Sequence, residues 1–202
     1  LTRQLHLDRP AVRAWMLYDW ANSAMYVVIV TAIFPTFFSA VAAQGLPPVE
    51  ATYRFSLATT LGLTIIAVLS PILGAIADHS AAKKRLLGAF LVFGASAVAA
   101  MFFIRHGQWV FAALLFILAN IGVNGSFVFY DSLLPHVAAP DEMDRISTAG
   151  YALGYLGGGL FLVACLGIIL APAAFGLPSG AGLTPTEATL PTRITFVLTA
   201  LW

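Results

Sequence analysis

Hydrophobic positions in this chain run in long unbroken blocks, and the charged positions fall in the short gaps between them. Residues 20–49, 55–77, 86–104 and 107–130 contain no Asp, Glu, Lys or Arg. A fifth uncharged stretch, 146–186, is apolar in its first part. A helix rises about 1.5 Å per residue, so about 20 apolar residues cross the ~30 Å hydrocarbon layer of a bilayer. Each block is long enough, and an ordinary soluble core helix does not stay apolar all round for that length. The pattern predicts five membrane-crossing helices, at about 14–43, 53–77, 85–104, 108–134 and 146–171. Pro135 is expected to end the fourth, whereas Pro35 and Pro71 lie inside spans, where neighbouring helices tolerate a bend. Residues 172–192 are rich in Pro, Gly, Ser and Thr and read as an exposed irregular linker. Residues 194–202 are apolar again but reach only about 14 Å as a helix, so they read as the start of a sixth span, cut within it.

Composition supports the membrane reading. The chain is 60% hydrophobic and 9% charged, where a soluble domain of this size carries roughly a quarter charged residues. A net charge of +1, with one short basic run at Lys83-Lys84-Arg85 between two spans, gives no footprint for nucleic acid. The single Cys165 lies in an apolar segment and reads as a packing residue. The four histidines, His6, His79, His106 and His136, are scattered without ligand spacing, so no metal and no cofactor is expected.

The lysines and arginines also set an orientation. With residues 1–13 as a cytoplasmic segment and 14–202 as the helical bundle, the inner side carries Arg3, Arg9, Arg13, Lys83, Lys84, Arg85 and Arg145, and the outer side Arg54, Arg105 and Arg193. Seven against three places the N-terminus in the cytoplasm.

Polar residues inside the spans are the candidate chemistry. Asp19, Asn22, Ser23 and Tyr26 stand at i, i+3, i+4 and i+7, one stripe of span 1. Such a stripe is expected to face the bundle interior or a water-filled cavity. Asp19 reads either as a protonatable coupling or gate group, or as a carboxylate that reaches the headgroups or pairs with Arg13 or Arg145. Asn120 and Asn124, at i and i+4 of span 4, suit either a polar solute or hydrogen bonds between helices. Gly150, Gly154 and Gly158 repeat every four residues in span 5, a spacing that permits close helix packing. Tyr151 and Tyr155 share a face of the same span, which suits a cavity wall, a membrane interface or packing.

Between spans 2 and 3 the chain reads Gly-Ala-Ile-Ala-Asp-His-Ser-Ala-Ala-Lys-Lys-Arg from Gly74 to Arg85. This resembles the major facilitator superfamily signature for that loop, G-x-L-A-D-R-x-G-R-K. Gly74, Ala77, Asp78 and Lys83 match, Ile76 substitutes conservatively, and His79, Ala81 and Ala82 depart. Physically, Gly74 would let a neighbouring helix approach, Asp78 would face the positive end of another helix, and Lys83 and Lys84 would bridge to a carboxylate such as Asp131. In the superfamily this cluster latches the cytoplasmic side shut. A closer resemblance rests on Trp15-Met-Leu-Tyr-Asp-Trp-Ala-Asn-Ser-Ala24, Phe129-Tyr-Asp-Ser-Leu-Leu-Pro135, Asp144-Arg-Ile-Ser147 and the run from Gly150 to Gly159. These stretches resemble the branch containing the autophagy-related vacuolar amino-acid effluxers and their bacterial relatives. The glycine run also resembles the superfamily's antiporter motif, with Tyr155 in place of its proline, and span 4 lacks the arginine that superfamily members often use for proton coupling.

The resemblance implies an all-α, polytopic fold of twelve helices, of which this chain supplies the N-terminal six-helix half. It implies a secondary transporter for a small solute, amino acids among the candidates, with a proton as candidate coupling ion and the missing C-terminal half as partner. The expected location is the bacterial inner (plasma) membrane. A membrane-embedded enzyme for lipid-linked substrates needs a catalytic cluster at one membrane face, which these residues do not offer. A transport-inactive homologue is the other alternative, because fold alone does not fix function.

Overall fold

The computed structural model describes residues 9–79 and 82–202, so Arg3, His6 and the loop residues Ser80 and Ala81 lie outside the described residues. Five helices are long and apolar enough to span a membrane: α1 (Pro10–Ala42), α2 (Pro48–His79), α3 (Lys83–Phe103), α4 (Trp109–Asp131) and α5 (Met143–Leu170). A shorter apolar helix, α6 (Leu190–Leu201), follows. No strand occurs among the described residues. The chain is an all-α, multi-pass integral membrane protein.

Helix boundaries follow local chemistry. Pro10 opens α1 at its first turn, where a missing N–H costs nothing. Pro71 sits within α2 without ending it. The expected fourth span is cut short: α4 stops at Asp131, and Leu134–Val137 forms a separate short helix. Pro135 thus lies in the first turn of a new helix instead of ending the old one, the position its fixed φ favours. The linker is also less irregular than its composition suggests. It holds a 3₁₀ turn at Pro172–Phe175 and a short helix at Pro185–Ala188, the latter closed by a capping box between Thr184 and Glu187. Those hydrogen bonds from Thr184 hold the exposed Glu187 carboxyl below its usual pKa.

α1 is continuous but not uniform. Pro10–Ala24 is α-helical, Met25–Ala32 is π-helical, Ile33–Phe37 returns to α, and Phe38–Ala42 is π again. The wider turns flank Pro35, whose ring cannot be accommodated by a regular i→i−4 ladder.

Two close crossings organise the packing. α3 meets α4 where Gly94 faces Gly122: a Cβ on Gly122 would collide with the Gly94 backbone, so only glycine fits. α1 meets α5 along the glycines of α5. At the end of the bundle away from the N-terminus, Phe34, Phe37, Phe38, Phe55, Phe116 and Phe196 interlock α1, α2, α4 and α6. Phe34 stacks on Phe116 at 5.1 Å, and Phe37 meets Phe196 edge-on at 5.1 Å. Beside them Arg193 donates to the Phe102 carbonyl at 3.2 Å, tying α6 to the end of α3. The N-terminal end is polar by contrast. There Arg9 pairs with Glu142 at 2.7 Å, and Trp15 donates to the Tyr130 carbonyl at 3.3 Å while stacking on the Tyr130 ring.

A candidate solute cavity between three helices

The glycine face of α5 is what brings the polar residues of α1 into place. A Cβ on Gly150 would lie 2.6 Å from the Trp15 ring, one on Gly154 2.5 Å from Ser23 Oγ and 3.1 Å from Asp19 Cγ, and one on Gly158 3.0 Å from the Ser23 carbonyl. Gly157 completes the stripe, with a virtual Cβ 2.7 Å from the Trp20 carbonyl. With no side chains between them, the two helices touch backbone to side chain. Asp19 is therefore only 3% exposed, with Ser23 beside it against the same glycine.

On the same side, α4 closes the space. The Tyr26 hydroxyl donates to Asn124 Oδ1 at 2.9 Å, and the Asn124 amide donates to the Asn120 carbonyl at 2.8 Å. A cavity of about 350 Å³ results, lined by Asp19, Ser23, Tyr26 and Val27 of α1, Asn124, Phe127 and Asp131 of α4, and Tyr151 and Tyr155 of α5. Tyr151 and Tyr155 stand at its rim, 59% and 76% exposed. Six of the polar residues expected from the sequence thus meet in one place, together with Asp131, expected only as a latch residue.

Two expected residues do not join them. Asn22 turns to the opposite side of α1. It lines a more apolar cavity of about 300 Å³ between α1, α3, α4 and α6, and its amide nitrogen has no hydrogen-bond partner among the described residues. The stripe argument placed it with Asp19 because they are three residues apart, but helix spacing alone does not say which neighbour fills which side. Asn120 is buried, and its amide donates to the Phe116 carbonyl one turn back. Its Cβ lies 3.5 Å from a virtual Cβ on Gly62, so it sits at the α2–α4 contact, outside the polar cavity.

The loop motif also departs from its expected contacts. No described atom comes within 4 Å of a Cβ built on Gly74, so no described helix of this chain uses the close approach. Lys83 donates to the Ser132 carbonyl at 3.4 Å, and neither Lys83 nor Lys84 forms an ion pair with Asp131. The carbonyl end of α4 attracts the ammonium as well as its carboxylate would. Asp78 is exposed at the end of α2. Sequence reasoning missed Phe127 and the cavity role of Asp131. The signal was there: Asn124, Phe127 and Asp131 stand at i, i+3 and i+7, one face of α4. Among the described residues, no group of three or more His, Cys, Asp or Glu could hold a metal ion.

A family profile described as vacuole effluxer Atg22 like matches residues 50–202. The chain belongs to the Atg22-like family. An uncharacterized MFS-type transporter YxiO of Bacillus subtilis (strain 168) is 33% identical over 190 residues, which is 94% of this chain and 43% of that protein. Autophagy-related protein 22 of Neurospora crassa is 33% identical over 106 residues, 50% of this chain and 14% of the fungal protein. The corresponding protein of Coccidioides immitis is 34% identical over 91 residues, covering 45% of this chain and 14% of its own length. This Atg22-like chain spans less than half the length of the curated relatives it matches. No solved structure gives a significant match.

Proposed function

We propose that the full-length protein is a secondary transporter that moves a small solute by alternating access, and that the cavity between α1, α4 and α5 is this chain's share of the solute path. The observation that carries the reading is the convergence of Asp19, Ser23, Tyr26, Asn124, Asp131, Tyr151 and Tyr155 from three helices on one cavity of a membrane bundle. Polar groups at membrane depth are expensive, and lining a solute path is their usual use. Membership of the Atg22-like family supports transport over membrane enzymology.

In this reading a second helical half completes the cavity, and the two halves rock about it. The bias of basic residues supports a cytoplasmic N-terminus, and the Bacillus relative supports a bacterial plasma membrane as the location. Asp78, Lys83 and Lys84 then stand at the cytoplasmic face as half of a latch whose counterpart lies in the second half. Gly74 gives that partner room to approach. Amino acids are the first solutes to try, following the sequence resemblance to the vacuolar amino-acid effluxers. Asp19 is the candidate for proton coupling.

The test is counterflow in proteoliposomes holding the full-length protein, loaded with an amino-acid mixture and offered each labelled amino acid outside. Exchange above protein-free vesicles, abolished by a bulky Asp131→Trp substitution at the exposed edge of the cavity, is the expected result. No exchange of amino acids, amines, organic acids or sugars by a well-folded protein would sink the transporter reading.

A further inference from the structure

The charge of the cavity is one-sided. Both charged side chains that line it, Asp19 and Asp131, are carboxylates, and none of its described lining residues is Lys, Arg or His. Asp19 is 3% exposed, lies beside the neutral Ser23 against Gly154, and makes no ion pair among the described residues. A buried carboxylate without a counter-charge is costly unless it takes up a proton or meets a cation from outside the chain. The remaining walls say which kind. Four rings, from Tyr26, Phe127, Tyr151 and Tyr155, surround the acids. Aromatic faces attract ammonium groups, especially where water is excluded. Among the described residues, no group of three or more His, Cys, Asp or Glu could hold a metal ion, and the two carboxylates here fall short of such a set. The Tyr26 hydroxyl and Asn124 Oδ1 are already joined to each other, and the carboxylates are the charged acceptors of the cavity.

We propose that this cavity binds a compact organic cation, its ammonium group held by Asp19 and Asp131 and its alkyl chain by the aromatic walls. The inference rests on the cavity being the solute site and adds the charge class of the solute.

Three probes built on a four-carbon chain test it on the purified full-length protein in detergent, at fixed ionic strength: putrescine, its neutral diacetylated form, and succinate. The readout is the rise in unfolding temperature as each is titrated. Putrescine alone is expected to stabilise the protein, and Asp131→Asn to raise its half-saturation concentration at least tenfold, with Asp131→Glu restoring most of the affinity. Asp131 is exposed, so its substitution leaves the fold intact; Asp19→Asn is expected to show the same loss. Equal stabilisation by succinate or by the acetylated probe overturns the inference, as does unchanged putrescine affinity in Asp131→Asn. So does an equal effect of sodium chloride, which marks simple ionic screening. The two readings fail separately. Carboxylate-dependent putrescine binding without flux of any solute removes transport alone. Flux of an anionic solute through a cavity indifferent to putrescine removes the cation alone.

Discussion

A methyl group added to Gly154 of α5 would lie 2.5 Å from the hydroxyl oxygen of Ser23 on α1. That distance ties the glycine to the cavity: a side chain there forces Ser23 and Asp19 out of their present positions, by rotation or by moving α1 off α5. Gly154→Ala is expected to destabilise the protein by about 1–3 kcal/mol, the usual range for overpacking. Gly159→Ala, where nothing described lies within 4 Å, is the control and should leave stability unchanged. Thermal unfolding of the two variants in one detergent checks both.

The Tyr26–Asn124 hydrogen bond at 2.9 Å is the polar tie between α1 and α4 beside the cavity. Such bonds within membranes average about 0.6 kcal/mol and reach about 1.7. Tyr26→Phe should therefore cost little stability, and Asn124→Ala no more than the upper value. A loss of several kcal/mol in either would show that the bond organises the helix pair, not only the cavity wall.

For Asp19 the informative substitution is Asn, which keeps size and hydrogen bonding and removes the charge. With Asp19 as the coupling group, Asp19→Asn loses gradient-driven accumulation but keeps exchange at saturating solute. Equal loss of both marks a gate instead. No change in either places the carboxylate outside the path.

Asp78→Asn probes the latch. Asp78 is exposed at the end of its helix, so insertion and unfolding temperature should stay at wild-type values while turnover falls strongly. A charge at a helix end is worth about 0.3–1 kcal/mol when exposed and more when partly buried, enough to shift a gate and too little to unfold a bundle. Wild-type turnover would remove the latch role.

Topology is checked with single cysteines in a Cys165→Ala background. Ser179, exposed in the long linker, should react with an impermeant maleimide in intact cells, and Asp141, exposed between α4 and α5, should not. The reverse pattern would invert the orientation taken from the basic residues.

The spans were legible because a charge-free apolar block of about 20 residues suits a bilayer and little else, and they emerged within a few residues of the expected bounds. What shifted was local. Pro135 begins a helix where it was expected to end one, since proline suits either side of a helix start. The π turns of α1 leave no periodic trace in a segment that is apolar on every side. The Gly94–Gly122 crossing was not legible, because a pair of glycines on different helices becomes a contact only when the helices are placed. In the site, spacing along one helix found the right residue types and half of their partners. It grouped Asn22 with Asp19, although the two line different cavities, and it did not connect Asp131 to Asp19, a relationship that exists only between helices.

The π-helical stretches of α1 bear on how this helix tolerates changes in length. Met25–Ala32 and Phe38–Ala42 close i→i+5 hydrogen bonds, so each wide turn holds about one residue more than an α turn. Losing one residue from Met25–Ala32 can be absorbed by tightening a turn, leaving Asp19 on one side and Phe34, Phe37 and Phe38 on the other in their present facing. The same deletion in α4, which has no such slack, would rotate everything beyond it by about 100° and dismantle the wall formed by Asn124, Phe127 and Asp131. Among relatives of this chain, single-residue gaps should therefore collect in the middle of the first span and be absent from the fourth.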